Sequence, residues 1–356
     1  MPRLIVLDAV GDALVEGLQR AWAAGEAVLP LDPRLPPAAR EAVLTAARPD
    51  DPVQEGDALV VATSGTSGRP KLAVLTHAAV AASARATSAR LGVDPTTDRW
   101  LACLPLAHVG GLSVVTRALV TGTACTVHER FDASAVEAAA RAGCTLTSLV
   151  PTALQRINAG LFRTILVGGQ APPAERPAHV VATYGMTETG SGIVYDGQPL
   201  DGVEVRIDHE GQILVRGPML LRAYRDGTDP KDADGWYPTG DLGRLEGPRV
   251  AVHGRADDLI ISGGQNVWPA LVEDALRTHP AVQDVAVIGE SDAEWGQRVV
   301  AVVVPVDWMA PPSVHALRDH AASTVPAYAA PKEVRFLRAI PRTSTGKVQR
   351  STLTAR

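Results

Sequence analysis

Three hydroxyl residues, two glycines and a lysine fall within Ser64-Gly65-Thr66-Ser67-Gly68-Arg69-Pro70-Lys71, directly after the apolar run Ala58-Leu59-Val60-Val61-Ala62. These types suit phosphate: glycines let backbone N–H groups converge, hydroxyls add donors, and Lys71 adds a compact charge. The G-x-x-G-x-x-K spacing is not that of a Walker A loop, G-x-x-x-x-G-K-[ST]. A second cluster, Thr183-Tyr184-Gly185-Met186-Thr187-Glu188-Thr189-Gly190, reads as a glycine-flanked turn. There Tyr184 can lie against a planar base, Thr187 can donate to a phosphate and Glu188 can hold a magnesium ion. Trp236-Tyr237-Pro238-Thr239-Gly240-Asp241 ends in a carboxylate suited to two ribose hydroxyls, and Pro341-Arg342-Thr343-Ser344-Thr345-Gly346-Lys347 carries a lysine on a tight turn. Singly, each has an ordinary reading: a flexible connection, a surface carboxylate, a turn former, a solvated lysine.

Groups so far apart in sequence need a layered scaffold to meet. From residue 58 the pattern alternates: strand 59–62, helix 78–91, strand 100–104, loop 105–111, helix 112–120, strand 124–128, helix 133–142 and strands 145–149 and 164–167, the last ending at Gly168-Gly169-Gln170. This predicts α/β layers around a largely parallel sheet. After Tyr195, short segments at 203–207, 212–216 and 249–253 between Gly/Asp/Pro turns predict a small β-rich subdomain. A boundary near 255–258 divides the chain into domains 1–255 and 256–356. In the second, Pro269 suits the first position of a helix reaching His279, with strands 285–288, 298–304 and 333–337 and a helix at 313–322. That α+β unit is long enough to fold by itself.

At 356 residues, 46% hydrophobic and 21% charged, the composition is that of a globular protein of about two domains. A net charge of −5 supplies no attraction for nucleic acid or an anionic membrane. Met1-Pro2-Arg3-Leu4-Ile5-Val6-Leu7-Asp8 is apolar too briefly for a signal peptide, and the strongest apolar run, 299–306, is strand-sized. Cys103, Cys125 and Cys144 lack metal-type spacing and read as reduced, buried thiols of a cytoplasmic protein. Only four of 34 basic residues are lysines, so Lys71 and Lys347 stand out; Lys231 and Lys332 read as chance.

Taken together and in order, these motifs resemble the adenylate-forming superfamily of acyl-CoA ligases, peptide-synthetase adenylation domains and firefly luciferase. The matching segments are 64–71, 184–188, 237–241, Gly254-Arg255-Ala256-Asp257-Asp258, Ile261-Ser262-Gly263-Gly264-Gln265-Asn266 and 341–347, covering about residues 58–350. The resemblance implies a large nucleotide-binding domain and a small mobile C-terminal domain that rotates between two half-reactions. By position it assigns ATP binding to Ser64, Gly65, Thr66, Ser67, Gly68, Lys71, Gly168, Gly169, Gln170, Tyr184, Gly185, Asp241 and Arg255. It assigns catalysis to Lys347, Glu188 and Thr187, magnesium to Glu188, the hinge to Asp257, and the coenzyme A tunnel to Ser262, Gly263 and Gly264.

Leu104-Pro105-Leu106-Ala107-His108-Val109-Gly110-Gly111 followed by Arg117 is most similar to the o-succinylbenzoate–CoA ligases of menaquinone biosynthesis. This implies a substrate site containing His108 and Arg117. A buried cation there suits a substrate with a second, unreacting carboxylate. The alternative for Arg117 is a solvated helix face. Most relatives have well over a hundred residues before the phosphate loop, so the N-terminal subdomain is expected to be reduced, the acyl pocket more open, and a homodimer a way to cover it. Three further readings stay open: a ligase for another aryl or short-chain acid, a free-standing peptide-synthetase adenylation domain, and a non-catalytic nucleotide- or adenylate-binding protein.

Overall fold

The computed structural model describes residues 1–63, 70–170, 175–342 and 348–354. It has two compact units: Met1–Arg206 with Leu214–Pro238 and Gly247–Val250, and Ile207–Ile213 with Thr239–Glu246 and Ala251–Arg356.

In the first unit, Leu4–Leu7 (β1), helix Gly11–Ala23 (α1) and Ala27–Pro30 (β2) form a parallel β-α-β step, and Pro37–Ala47 (α2) leads to Asp57–Ala62 (β3), parallel to β2. The chain then returns antiparallel as Leu72–Thr76 (β4), with Val60 opposite Val74 and the Thr63 N–H donating to the Lys71 carbonyl at 2.8 Å. The connection 64–70 therefore joins a β-hairpin. Sequence reading passes over β4, because five residues of Leu-Ala-Val-Leu-Thr between a loop and an alanine-rich helix carry no alternation. Thr76 caps that helix, His77–Leu91 (α3), accepting from the Ala79 N–H at 3.1 Å.

The second sheet follows the expected alternation. Arg99–Ala102 (β5), Val109–Thr121 (α4), Ala124–Val127 (β6), Ala133–Arg141 (α5), Leu146–Leu149 (β7), Pro151–Leu154 (α6), Thr164–Val167 (β8) and Val180–Met186 (β9) alternate up to β8. Ser191–Tyr195 (β10) and Gln198–Pro199 (β11) complete the order β11-β10-β9-β8-β7-β5-β6. From β6 to β9 the neighbours are parallel; β10 and β11 run antiparallel. Every residue of β7 and β8 is buried, as in a parallel sheet covered on both faces. Cys103 and Cys144 lie in this core, and burial pushes the Cys103 thiol up to about 11. Cys125 is only half-buried, a correction to the expectation, because β6 is the edge strand; its thiol is pushed up to about 12 by desolvation.

Glu204–Ile207 (β12) and Gln212–Arg216 (β13) precede Ala223–Tyr224 (β14), which joins the first sheet beside β4 with Tyr224 opposite Ala73. Tyr237–Glu246 (β15) and Arg249–Arg255 (β16) complete a four-stranded sheet, β12-β13-β15-β16, through which the division between the units passes. Lys231 is no accident of composition: its ammonium donates to the Leu221 and Arg222 carbonyls, each at 2.9 Å, and tethers the loop after β14.

In the second unit, Ile260–Ser262 (β17) and Gln265–Val267 (β18) form a hairpin, followed by Pro269–Arg277 (α7) with proline at its first position. Val282–Asp292 (β19) and Gly296–Pro305 (β20) pair antiparallel, Val314–Ala322 (α8) follows, and Glu333–Phe336 (β21) joins β20 in parallel. Val299, Ala301 and Val303 pack with Val272, Leu276 and Leu317, while Val300, Val302 and Val304 pack with Ile340 and Leu353. A strand buried on both faces explains why the most apolar run of the sequence lies here. No helix among the described residues is long and apolar enough to cross a membrane.

Candidate active site

The parallel strands of the second sheet point their C-terminal ends the same way, and several expected site residues leave from that edge. After β5 comes the loop to His108, after β8 come Gly168, Gly169 and Gln170, and β9 runs into Thr187–Thr189. Open α/β sheets hold ligands at this edge. Tyr184 lies on β9 rather than in a turn, which corrects the reading of 183–190: only Thr187 to Gly190 bend, as a 3₁₀ turn closed by Gly190 at φ +67°. Gly185 has a packing role. It faces Gly192 across the β9–β10 pair, and a Cβ there would come within 2.1 Å of the Ser191 carbonyl.

Thr189 ties that turn together, accepting from the Met186 N–H and donating toward the Ser191 carbonyl. Glu188 is thereby held at 9% exposure, and Tyr224 donates to its Oε1 at 3.0 Å. Tyr237 Oη lies 3.3 Å from Tyr224 Oη, and the Lys71 ammonium sits over the Tyr224 ring, 5.1 Å from its centroid. Nothing in the local sequence around Tyr224 marks it for this place. Ser64, Gly65, Thr66, Ser67 and Gly68 lie outside the described residues.

Arg117 is not on a solvated helix face. It is 1% exposed on α4, its guanidinium 4.8 Å from the Trp100 ring centroid, with Nη2 donating to Ser191 Oγ at 3.3 Å. Nε and Nη1 have no hydrogen-bond partner among the described residues. The group lines a small cavity between α3 and α4 together with Ser83, Val109, Ser113 and Gly190. The cavity has room for about one water, ≈ 10 Å³. Desolvation holds Arg117 below the ordinary arginine range, although an arginine remains charged near neutrality.

His108 is the residue preceding α4, and burial keeps its imidazole below the usual histidine range despite the pull of Asp32. Burial lowers His77, His253 and His279 in the same direction. All four therefore prefer the neutral form in the fold, and the unfolded chain takes up protons first as pH falls through 6.5. Stability from this source is complete above that value and lost below it. The apparent thermal midpoint is expected to fall between about pH 7.5 and 5.5; a flat or rising midpoint in a calorimetric series contradicts this.

The remaining expected residues belong to the second unit. Asp241 is 7% exposed on β15, and the Arg255 guanidinium donates to the Thr239 carbonyl at 3.0 Å and lies 3.5 Å from Asp241 Oδ1. Asp257 lies in the 3₁₀ turn Ala256–Asp258. Gly263 and Gly264, at φ +59° and +75°, form the two-residue turn between β17 and β18 and are exposed. Strand alternation turns the Ser262 side chain inward, 1% exposed, so the two glycines and not its hydroxyl face outward. Trp295 backs this turn. It accepts the Gly263 N–H through its carbonyl at 2.8 Å, and its ring carries the Lys332 ammonium 4.0 Å from the centroid.

Lys347 lies outside the described residues, but both flanks of its segment are anchored. Arg342 donates to both oxygens of Asp284, at 2.8 and 2.9 Å, and pairs with Val348 in an antiparallel bridge. Arg350 donates to the buried Glu273 at 2.6 Å and to the Val287 carbonyl at 3.1 Å. Glu273 also accepts from the Val287 N–H at 2.9 Å. Glu273→Ala is expected to destabilise the protein by about 3 kcal/mol, measured by denaturant unfolding, because it strands a charge and a buried N–H together.

Comparison with known proteins places the chain among characterised relatives. A family model described as AMP-binding enzyme matches residues 44–225, and one described as AMP-binding enzyme C-terminal domain matches residues 271–347. A Mycobacterium tuberculosis protein named "Probable 2-succinylbenzoate--CoA ligase" is 41% identical over an alignment of 348 residues that covers 90% of this chain and 90% of its own. A 2-succinylbenzoate–CoA ligase of Enterococcus faecalis is 33% identical over 83% of this chain and 68% of its own. Among solved structures, the o-succinylbenzoate CoA synthetase of Bacillus subtilis in complex with its acyl-adenylate intermediate superposes with a TM-score of 0.87 at 27% identity, covering 99% of this chain and 88% of that one. The same enzyme with ATP and magnesium gives 0.86 at 28% identity, covering 98% and 88%.

Proposed function

The chain belongs to the AMP-binding enzyme family, and from that premise we infer that it is an AMP-forming 2-succinylbenzoate–CoA ligase of menaquinone biosynthesis, working in the cytoplasm. The observation that carries the choice of substrate is Arg117. It is a buried guanidinium with two nitrogens unpartnered among the described residues, lining a one-water cavity that must widen to admit a carboxylate and whose wall includes Gly190, two residues beyond Glu188. A fatty acid would leave that cation desolvated and unpaired; a second carboxylate satisfies it.

In the first half-reaction a substrate carboxylate oxygen forms a bond to the α-phosphorus of ATP, the bond to the β-phosphate oxygen breaks, and pyrophosphate leaves. Two like unit charges at ~4 Å repel by ~4 kcal/mol at an effective dielectric of about 20, so the approach of carboxylate to triphosphate needs neutralisation. Lys71 and Lys347 supply positive charge for this step, and Thr187 supplies a donor. Asp241 and Arg255 hold the ribose, and Tyr184 holds the adenine. Glu188 is the residue that would hold magnesium, which when bound neutralises phosphate charge. A lone buried carboxylate, with no group of three or more His, Cys, Asp or Glu able to hold a metal among the described residues, fits an ion that takes most of its ligands from phosphate and water.

In the second half-reaction the sulfur of coenzyme A bonds to the acyl carbon, the acyl–phosphate oxygen bond breaks, AMP departs and the thiol proton is lost. The Gly263–Gly264 turn is the assigned path for the pantetheine arm, and Asp257 the assigned hinge that withdraws Lys347 from the adenylate. A pyrophosphate-release screen tests the whole reading. With o-succinylbenzoate beside benzoate, octanoate and several amino acids, o-succinylbenzoate is expected to exceed every other acid by at least about a hundredfold in kcat/KM. Comparable rates with benzoate or octanoate reassign the chain to a ligase for simpler acids. No turnover with any acid favours a nucleotide-binding protein without catalysis.

A further inference from the structure

Behind Glu188 in the first unit stands a short chain of buried hydroxyls. Tyr237 Oη is 3.3 Å from Tyr224 Oη, which is 3.0 Å from Glu188 Oε1, and the three side chains belong to residues 5%, 8% and 9% exposed. An ionised carboxylate only accepts, so the Tyr224 proton goes to Glu188 and the Tyr224 oxygen is left to accept from Tyr237. The β14–β4 pairing sets Tyr224 opposite Ala73, two residues beyond Lys71, and so brings the Lys71 ammonium over the same ring. One side chain thus touches two oppositely charged residues that lie more than a hundred positions apart in sequence.

We propose that Tyr224 is a positioning residue for the metal–nucleotide complex: its hydroxyl occupies Glu188 Oε1 and turns Oε2 toward magnesium, while its ring face steadies Lys71. The inference rests on the reading of Glu188 as the magnesium carboxylate. Magnesium tolerates little deviation from octahedral geometry, so a carboxylate already fixed in one rotamer loses less freedom on binding than a mobile one. Tyr237 acts one step further back, polarising and orienting the Tyr224 hydroxyl.

The test uses the full chain and three variants, Tyr224→Phe, Tyr237→Phe and Glu188→Gln. Manganese binding in the presence of ATP is read by electron paramagnetic resonance, and metal-free AMP binding by calorimetry. Tyr224→Phe keeps the ring and its contact with Lys71. It is expected to weaken manganese–ATP binding about tenfold while AMP binding changes by less than about twofold, with Tyr237→Phe giving a smaller loss of the same kind. Wild-type manganese affinity in Tyr224→Phe, with loss in Glu188→Gln, overturns the positioning role and leaves Glu188 in place. Wild-type affinity in Glu188→Gln overturns the reading of Glu188 and this proposal with it. Equal weakening of manganese–ATP and metal-free AMP marks Tyr224 as structural only and also overturns it. Should Tyr224→Phe fail to fold, the Tyr237→Phe comparison decides by the same criteria.

Discussion

Arg117→Ala lowers kcat/KM for o-succinylbenzoate by at least about a hundredfold, yet leaves 4-oxo-4-phenylbutanoate, which lacks the aromatic carboxylate, within about threefold of the wild-type enzyme's rate on that analogue. The expectation follows from where the charge sits. Nε and Nη1 are buried without a hydrogen-bond partner among the described residues, and the polar contact of Nη2 is a neutral serine hydroxyl. The Trp100 ring offsets part of the desolvation, since a cation over an indole face gains about 1–2 kcal/mol, but it does not replace an anion. A substrate carboxylate therefore meets a cation already stripped of water. Removing the cation removes discrimination more than it removes catalysis. The wild-type enzyme should likewise prefer o-succinylbenzoate over the analogue by at least about a hundredfold. Thermal unfolding adds an independent check. A desolvated charge destabilises the ligand-free fold, so Arg117→Met, of similar length, should unfold at the same temperature or higher. Equal kinetic losses on both substrates, together with a lower midpoint for Arg117→Met, would assign Arg117 to folding.

The second large effect is a split between half-reactions. Lys347→Ala should reduce acyl-adenylate formation from ATP by about a thousandfold or more, as expected when a charge aimed at the transferring phosphoryl group is lost. Supplied with synthetic acyl-adenylate, the same variant should convert it to the thioester at close to the wild-type rate. Single-turnover measurements of each step separate the two. The anchoring of 342 and 348 by Asp284 and the antiparallel bridge, and of Arg350 by Glu273, makes a global effect of truncating Lys347 a poor explanation for such a split. Asp257→Pro, which fixes φ at the assigned hinge, should also slow one step far more than the other. Equal losses in both half-reactions for both variants contradict rotation of the second unit between steps.

Residue types and their order were enough to point to the chemistry. Ser64–Lys71, Thr187–Glu188, Asp241 and Lys347 each have an ordinary reading alone; their order along the chain carries the resemblance to the adenylate-forming superfamily, and order and local backbone are what sequence spacing encodes. The elements legible in advance were likewise local: α7 from its proline at the first position, α3 from an alanine-rich run, and the β19–β20 core from unbroken valines. What the tertiary structure decided is non-local. Arg117 could have faced solvent, because α4 is apolar nearly all round and offers no single stripe to orient it; its burial was settled by packing against Trp100 and Ser191. Ser262 turned inward because strand alternation allows only every second residue of β17 to face out, a parity set by its pairing. Tyr224 reached Glu188 through the register of a two-residue strand against β4, and no periodicity along the chain records which strands will become neighbours. Sequence carries the inventory of groups and their local conformations. Register and burial belong to the folded whole, since both depend on the competition among all surfaces for the same interior.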